Sequence, residues 1–250
     1  LSLLWSAITP YAMAITLDNL KEFGSLAAFG EVLTDPKFYD SLGRTLVIAA
    51  SAATIAVSVA TIAAWVVSRA RVSGGTRMLD ALASSSVAIP TVIVGFSTFL
   101  FYLIINRWVP LVGTLLILII AYSYRVSVSY RVSTSAVNQI SPELEESAAA
   151  SGASRLSTFR RIVVPLLLPT SAAVWIQLFI LSAHEFTLPA FLATPETQPL
   201  SWYLYAKINP GAATLYAPDE GAAMALLFTV MVFVFVFGFR WIVGKRSFVR

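Results

Sequence analysis

Six long runs of apolar residues, none interrupted by a charged side chain or a histidine, dominate the sequence. A helix crosses a bilayer core with about 17–25 mostly apolar residues, so each run predicts a membrane-spanning helix. The runs are continuous rather than alternating, which favours helices over barrel strands. We therefore predict an all-α, polytopic membrane helix bundle of about six transmembrane helices, the first one truncated. The runs are 1–17, 45–68, 81–106, 108–124, 162–183 and 221–239.

The composition supports this class and excludes others. Charged residues make up only 12% of the 250 residues, about half the share found in soluble domains. That low share argues against a soluble globule, a disordered chain and a nucleic-acid-binding protein. The chain has no cysteine and one histidine, which excludes disulfides, thiolate metal sites and a histidine-rich metal site within it.

The distribution of basic residues predicts the orientation in the membrane. When the segments between the runs are assigned alternately to the two sides, one side holds 12 Lys and Arg residues and the other holds five. The richer side, which includes Arg125, is predicted to be cytoplasmic. Both termini then face the cytoplasm, and a secreted or cell-surface location is excluded.

The segment between the fourth and fifth runs has the strongest local pattern. Ser141 is suited to cap a helix that starts at Pro142. Gly152 is suited to a bend with positive φ, and Ser154 is suited to cap a second helix that runs towards Pro165. The sequence thus predicts two short helices joined by a bend.

This segment resembles the EAA loop of permease subunits in binding-protein-dependent ABC importers. The family pattern is E-A-A, three residues, G, nine residues, then I-x-L-P. Two positions depart from it, because Ser147 replaces an alanine and Val164 replaces the leucine. The matching residues are Glu146-Ser147-Ala148, Gly152 and Ile162-Val163-Val164-Pro165.

Ala88-Ile89-Pro90 followed by Gly95 is also similar to the family's third helix, with Thr91 where a glycine is usual. The resemblance is closest to ferric-iron-type permeases, which carry two six-helix halves, and this chain looks like the second half. The start at Leu1 instead of Met, with a shortened first helix, agrees with that expectation. The implied fold is MetI-like, with residues 1–250 as one transmembrane domain.

The resemblance implies a function without catalysis in this chain. Residues 141–165 would form a cytoplasmic coupling loop that docks on a separate ABC ATPase through the EAA residues. That partner would bind ATP and Mg, since the chain has no P-loop motif and no cofactor site. Further implied partners are a second permease half or subunit, a periplasmic substrate-binding protein and the lipid bilayer of the bacterial inner membrane. Ferric iron is the preferred cargo, and nucleic acid is not a partner.

Four residues are candidates for the substrate pathway, each with a structural alternative. His184 and Glu185 lie near the outer end of the fifth run, where they either line a gate or satisfy each other or water. Pro90 should bend the third helix, either as part of a pathway or as an ordinary membrane proline. Gln177 is expected to bond a neighbouring helix rather than a substrate.

Two other functional classes compete with the importer. A secondary transporter or channel would need no ATPase, but it is expected to carry more charge inside the membrane. A membrane enzyme would need a polar catalytic cluster at one face. The loop itself could also lie on the membrane surface as an amphipathic segment, although its spacing favours docking. Dependence on an ATPase partner separates the importer from both alternatives.

Overall fold

A computed structural model describes residues 2–9, 14–70, 74–85, 89–209, 211 and 217–247, with the side chains of 242–247 left out. Leu1 and Ala88 lie outside these residues. The described part is helical and contains no strand. Its first seven helices are α1 (Ser2–Ile8), α2 (Leu17–Phe23), α3 (Ala27–Thr34), α4 (Pro36–Arg69), α5 (Gly74–Ser85), α6 (Thr91–Ile105) and α7 (Leu115–Tyr122). The others are α8 (Val126–Asn138), α9 (Pro142–Ala150), α10 (Arg155–Thr158), α11 (Val164–Ala183), α12 (Thr187–Leu192), α13 (Leu200–Ile208) and α14 (Pro218–Ser247).

Four continuous helical stretches in the described residues are long and apolar enough to cross a membrane. They are Pro36–Arg69, Leu115–Asn138, Arg155–Ala183 and Pro218–Trp241, and α6 is a shorter apolar helix of 15 residues. At a rise of 1.5 Å per residue, α6 reaches about 22 Å, less than the roughly 30 Å of a bilayer core. The predicted all-helical membrane bundle is confirmed, but the spans differ from the six that were predicted.

The first predicted span, 1–17, is wrong over its described residues. Its helix α1 ends at Ile8, and residues 14–16 are not helical. An apolar count does not detect where a helix ends within such a run. The apolar runs also did not predict α2 and α3, two short helices that lie between α1 and α4 in the chain.

The third and fourth predicted spans are also displaced. Helix α6 begins at Thr91 with Pro90 as its N-cap residue, so Pro90 marks the end of a break rather than a bend within one helix. Residues 108–114 form a loop, and the fourth span runs from Leu115 through a 3₁₀ turn at Ser123–Arg125 to Asn138. Arg125 and Arg131, both counted on the predicted cytoplasmic side, therefore lie inside this span.

Helix α4 is the centre of the bundle because its small side chains allow close packing. It lies against α7, α8, α11 and α13, and small residues let membrane helices approach closely without a hydrophobic driving force. Thr61 on α4 bonds Ser133 on α8 at 3.4 Å between hydroxyl oxygens. The buried alanines of α4 are Ala49, Ala52, Ala53, Ala56, Ala60, Ala63 and Ala64.

After α11, the chain turns back into the bundle instead of forming an external loop. Leu188 and Leu192 of α12 are buried beside Ile117 and Tyr122 of α7. The start of α13 is fixed where the Leu200 backbone N–H donates to Thr45 Oγ1 of α4 at 2.8 Å. These contacts place α12 and α13 beside the N-terminal half of α4.

Tyr203 of α13 is buried, and its hydroxyl donates to Asp35, the N-cap residue of α4. Burial, with Asp35 as the next cause, raises the pKa of Tyr203, so the hydroxyl keeps the proton that it donates. The bond fixes α13 against the N-terminus of α4.

We expect the substitution Gly95→Leu to destabilise the packing of α6 on α12. A Cβ at Gly95 would lie 2.8 Å from Phe191 Cδ2, inside van der Waals contact, and overpacking typically lowers the free energy of unfolding by about 1–3 kcal/mol. Thermal unfolding in detergent measures the effect. The control is Gly238→Leu on α14, where an added Cβ meets no atom within 4 Å. Equal melting temperatures for the two variants would contradict the packing argument.

Candidate functional site

Helix α9 begins as the sequence predicts, with its cap residues in place. The Ser141 hydroxyl accepts a hydrogen bond from the Glu143 backbone N–H at 3.3 Å, and Pro142 occupies the first helical turn. Glu143 and Glu145 lie in that turn, where carboxylates interact favourably with the positive end of the helix dipole. The cap and the turn give α9 a defined start right after the span that ends at Asn138.

The end of α9 is a glycine-dependent turn that reverses the chain. Gly152 has φ +83°, a conformation that only glycine adopts without a steric cost. The Ala153 N–H donates to Ala148 O at 3.0 Å and the Gly152 N–H donates to Ala149 O at 2.9 Å. This pair of bonds is the Schellman pattern, which satisfies the last carbonyls of the helix.

The second helix of the loop starts at a cap and does not stop at Pro165. Ser154 Oγ accepts from the Ser157 backbone N–H at 3.3 Å. The helix then passes through a π-helical turn at Phe159–Val163, where the Val164 N–H donates to Phe159 O, and continues as α11. Prolines 165 and 169 lack a backbone donor, and the wider π turn precedes the first of them.

The residues that match the EAA pattern are accessible. Glu146, Ser147, Gly152 and Pro165 are exposed, and Ala148 and Ile162 are half-buried. Helix α9 buries none of its residues. Within the described part of the chain, Glu146 makes no hydrogen bond or ion pair, so its carboxylate is open to a partner. The loop thus presents a preformed helix with exposed acidic side chains, Glu146 among them, and small neighbours.

Glu145, one residue before the EAA pattern, joins α9 to the bundle, which the sequence analysis missed. Its Oε1 accepts from Arg69 Nε at 2.7 Å and its Oε2 accepts from Trp65 Nε1 at 3.1 Å. Arg69 also donates from Nη2 to the carbonyls of Val137 at 3.2 Å and Ile140 at 2.8 Å. The sequence signal for this ion pair is only the position of the two charges, since Arg69 is the last residue of one span and Glu145 comes shortly after the end of another.

A second polar cluster lies inside the bundle, around the break between α11 and α12. Glu185, 7% exposed, forms an ion pair with Arg125 of the fourth span. Its Oε1 also accepts from the backbone N–H groups of Thr187 at 2.7 Å and Leu188 at 3.4 Å. The carboxylate thus caps α12 and pairs with the charge of Arg125.

The backbone at this break is also satisfied by side chains. The Glu185 carbonyl accepts from the Tyr122 hydroxyl at 3.2 Å and from Ser201 Oγ at 2.6 Å. Arg125 donates from Nη1 to Leu181 O at 3.0 Å and from Nε to the Tyr124 hydroxyl at 3.4 Å. One break therefore joins α7, α11, α12 and α13 through hydrogen bonds.

The four predicted pathway residues are not brought together as a group. His184 is exposed, its Nδ1 lies 3.0 Å from Ile180 O, and its ring packs on Phe228. It does not bond Glu185, whose carboxylate pairs with Arg125 instead. Gln177 is exposed on α11 and makes no hydrogen bond within the described residues, contrary to the bond expected with a neighbouring helix.

Comparison with known proteins identifies a family. The family described as "Binding-protein-dependent transport system inner membrane component" matches residues 56–246. This range contains the loop, the ion-paired break and the last span.

Individual relatives are distant and carry different cargoes in their names. The chain is 27% identical to the putrescine transport system permease protein PotI of Escherichia coli over 73% of its own length, and it spans 66% of the length of that relative. It is 29% identical to the sulfate transport system permease protein CysT of Salmonella typhimurium, over 88% of this chain and 84% of that one. It is 27% identical to the ferric transport system permease protein FbpB of Actinobacillus pleuropneumoniae, over 86% of this chain but only 30% of that one.

Two solved structures share the fold. A bacterial alginate ABC transporter, crystallised with an alginate pentasaccharide-bound periplasmic protein, superposes with a TM-score of 0.73 at 19% identity, over 91% of this chain and 85% of that chain. An inward-facing MetNI methionine ABC transporter superposes with a TM-score of 0.66 at 16% identity, over 84% of this chain and 95% of that chain. At these identities the likeness concerns the fold, and it agrees with the predicted MetI-like bundle.

We expect Arg125→Leu to destabilise the bundle, because it leaves the buried Glu185 carboxylate without its counter-charge. Breaking a buried pair from one side costs about 3–5 kcal/mol, whereas replacing both charges is often tolerated. The double variant Arg125→Leu with Glu185→Gln should therefore melt above the single variant in detergent.

The control for this experiment is Arg131→Leu on the same span, whose side chain is exposed. It should change the melting temperature little. A double variant that melts below Arg125→Leu would contradict the ion-pair argument.

Proposed function

Because the chain belongs to the family of inner membrane components of binding-protein-dependent transport systems, we propose that it is the permease subunit of an ATP-driven importer. The observation that carries the proposal is α9, an exposed, capped helix held between two spans with the family's EAA residues on it. ATP binding and hydrolysis belong to a partner subunit, as in the transporters whose membrane chains share this fold.

The coupling residues act through their accessibility and size. Glu146 offers a free carboxylate to a basic group of the ATPase, where a charge-assisted hydrogen bond is stronger than a neutral one. Ser147 and Ala148 are small enough for a partner surface to approach the helix closely. Gly152 sets the turn that lets α9 protrude, and Ile162 and Pro165 start the helix that carries motion into the membrane.

The assembly contains three kinds of partner. Two ABC ATPase subunits dock on the coupling loops, a second permease half or subunit completes the pathway, and a periplasmic binding protein delivers the cargo. The alginate transporter with its periplasmic protein is the structural precedent for such an assembly. Closure of the ATPases moves α9, tilts the attached spans and opens the pathway alternately to each side.

The orientation follows from the loop. A loop that meets a cytoplasmic ATPase lies on the same side as the excess of basic residues. Both termini are then cytoplasmic, and α12 and α13 lie towards the periplasm, where a binding protein would dock.

Gln177 is the strongest of the pathway candidates. An exposed amide in an apolar span is unfavourable against lipid, so we place it against water in the pathway or against the second permease half. His184 lies two turns further along the same face of α11. Pro90, which starts α6, and Glu185, which starts α12, are the ends of the helices that would border the pathway.

A secondary transporter or channel that needs no ATPase is the alternative, and one observation favours it. The pair of Arg125 and Glu185 puts charge inside a span, as ion-coupled transporters do. The carboxylate, however, is fully engaged by Arg125 and two backbone donors, which leaves it no free site for an ion.

Ferric iron remains the cargo that we propose, from the resemblance of the sequence to ferric-type permeases and from the relative FbpB. The relatives named for putrescine and sulfate set the competing cargoes. Cells that lack this gene should lose uptake of radiolabelled ferric iron and keep uptake of putrescine and sulfate. Loss of either of the other two uptakes, with iron uptake intact, would refute the iron proposal and leave the importer proposal in place.

The importer proposal is tested by crosslinking at the loop. With Ser147→Cys in a chain that has no native cysteine, we expect a crosslinked adduct with an ATPase subunit in membranes, and its yield should change when ATP is added. Ser135→Cys on α8, exposed but outside the loop, is the control and should give no adduct. No adduct at 147, together with uptake that survives deletion of the ATPase, would favour the secondary transporter.

A further inference from the structure

The joint formed by Trp65, Arg69 and Glu145 is the feature that the proposed coupling does not yet explain. Helix α9 buries no residue, so packing does not fix it to the bundle. Within the described residues, Glu145 is the one side chain of α9 that bonds another helix. Its carboxylate is 15% exposed and the Arg69 side chain 20% exposed, so water screens the pair much less than a surface pair.

The joint reaches three transmembrane segments from one carboxylate. Arg69 and Trp65 are both on the last two turns of α4. Arg69 also holds the carbonyls of Val137 and Ile140 at the end of α8, which are helix-end acceptors that need a donor. The indole of Trp65 packs on Phe159, in the π turn before α11, with the ring centroids 4.7 Å apart.

The chain itself connects α9 only to α8 and to α10. Helix α4 is far away in sequence, yet it is the central helix on which α8 and α11 pack. Among the described hydrogen bonds and ion pairs, those of Glu145 are the direct link from α9 to α4. The guanidinium fork is suited to this task because it bonds several acceptors at once in a fixed geometry.

We propose that Glu145 and Arg69 form a strut that transmits movement of the coupling helix to α4. Glu145 is a positioning residue in this scheme, and Glu146 is the residue that meets the ATPase. The inference rests on the proposed function, because it requires that the ATPase moves α9.

The variant Glu145→Gln tests the strut, because it removes the carboxylate and keeps the size of the side chain. An amide offers one acceptor oxygen, so either Arg69 or Trp65 loses its acceptor and faces an N–H group instead. Glu143→Gln is the matched control, since Glu143 lies on the same helix and is exposed. Both variants remove one negative charge from α9.

The readout is a reporter cysteine, Gly43→Cys, on the predicted outer part of α4, where an added Cβ meets no atom within 4 Å. In the whole transporter in lipid nanodiscs, ATP with vanadate should change its labelling rate by a water-soluble thiol reagent about fivefold or more, the lower end of couplings between distant sites. The change should persist with Glu143→Gln and vanish with Glu145→Gln. A response that Glu145→Gln leaves intact would overturn the strut.

A separate preparation carries Ser147→Cys and keeps the two failures apart. The ATPase adduct at 147 should form equally with and without Glu145→Gln, because the strut lies behind the docking face. If the parent gives no adduct and uptake survives deletion of the ATPase, the proposed function fails, and the strut fails with it.

If Glu145→Gln does not fold, Arg69→Lys replaces it. One ammonium on a flexible stem keeps a bond to Glu145 but does not hold both carbonyls in the same fork. The reporter response should then fall below that of the parent, and a response equal to that of the parent would overturn the proposal.

Discussion

A helix break inside a membrane requires that backbone groups away from water find partners within the protein. The break after α11 shows it most fully. There the Glu185 side chain accepts hydrogen bonds from two backbone N–H groups. The backbone carbonyl of Glu185 accepts hydrogen bonds from the hydroxyls of Tyr122 and Ser201. Without α13 and its Ser201, that carbonyl would lose one of its two donors. The return of α12 and α13 into the bundle is thus the condition under which α11 can end where it does.

The two ends of α11 satisfy this rule in different ways. At its inner end the helix is continuous from Arg155, and a π turn accommodates the prolines that follow. At its outer end the helix stops within the bundle, and an ion pair of Arg125 and Glu185 fixes the stop. A helix that is continuous on the side of the coupling loop and locked on the other side is suited to carry a displacement from the loop towards the pathway.

The sequence predicted the loop well because its structure depends on local chemistry. Ser141, Gly152 and Ser154 were assigned their roles from capping and positive φ alone, and all three have those roles in the structure. The spans were predicted less well. Counting apolar residues does not distinguish a loop from a helix, so residues 108–114 were assigned to the membrane, and the polar residues of α8 were assigned to the cytoplasm.

What the sequence determined by itself is therefore the class of protein, which follows from its long apolar runs, and its local caps, which depend on neighbours within a few positions. Only the tertiary structure decided the partners of Arg69, Arg125, Glu145 and Glu185, which lie on segments far apart in the chain. Long-range pairs leave no periodic signal, because any buried arginine and any carboxylate satisfy the same electrostatic need. The packing of α4 and the return of α12 select which of them meet.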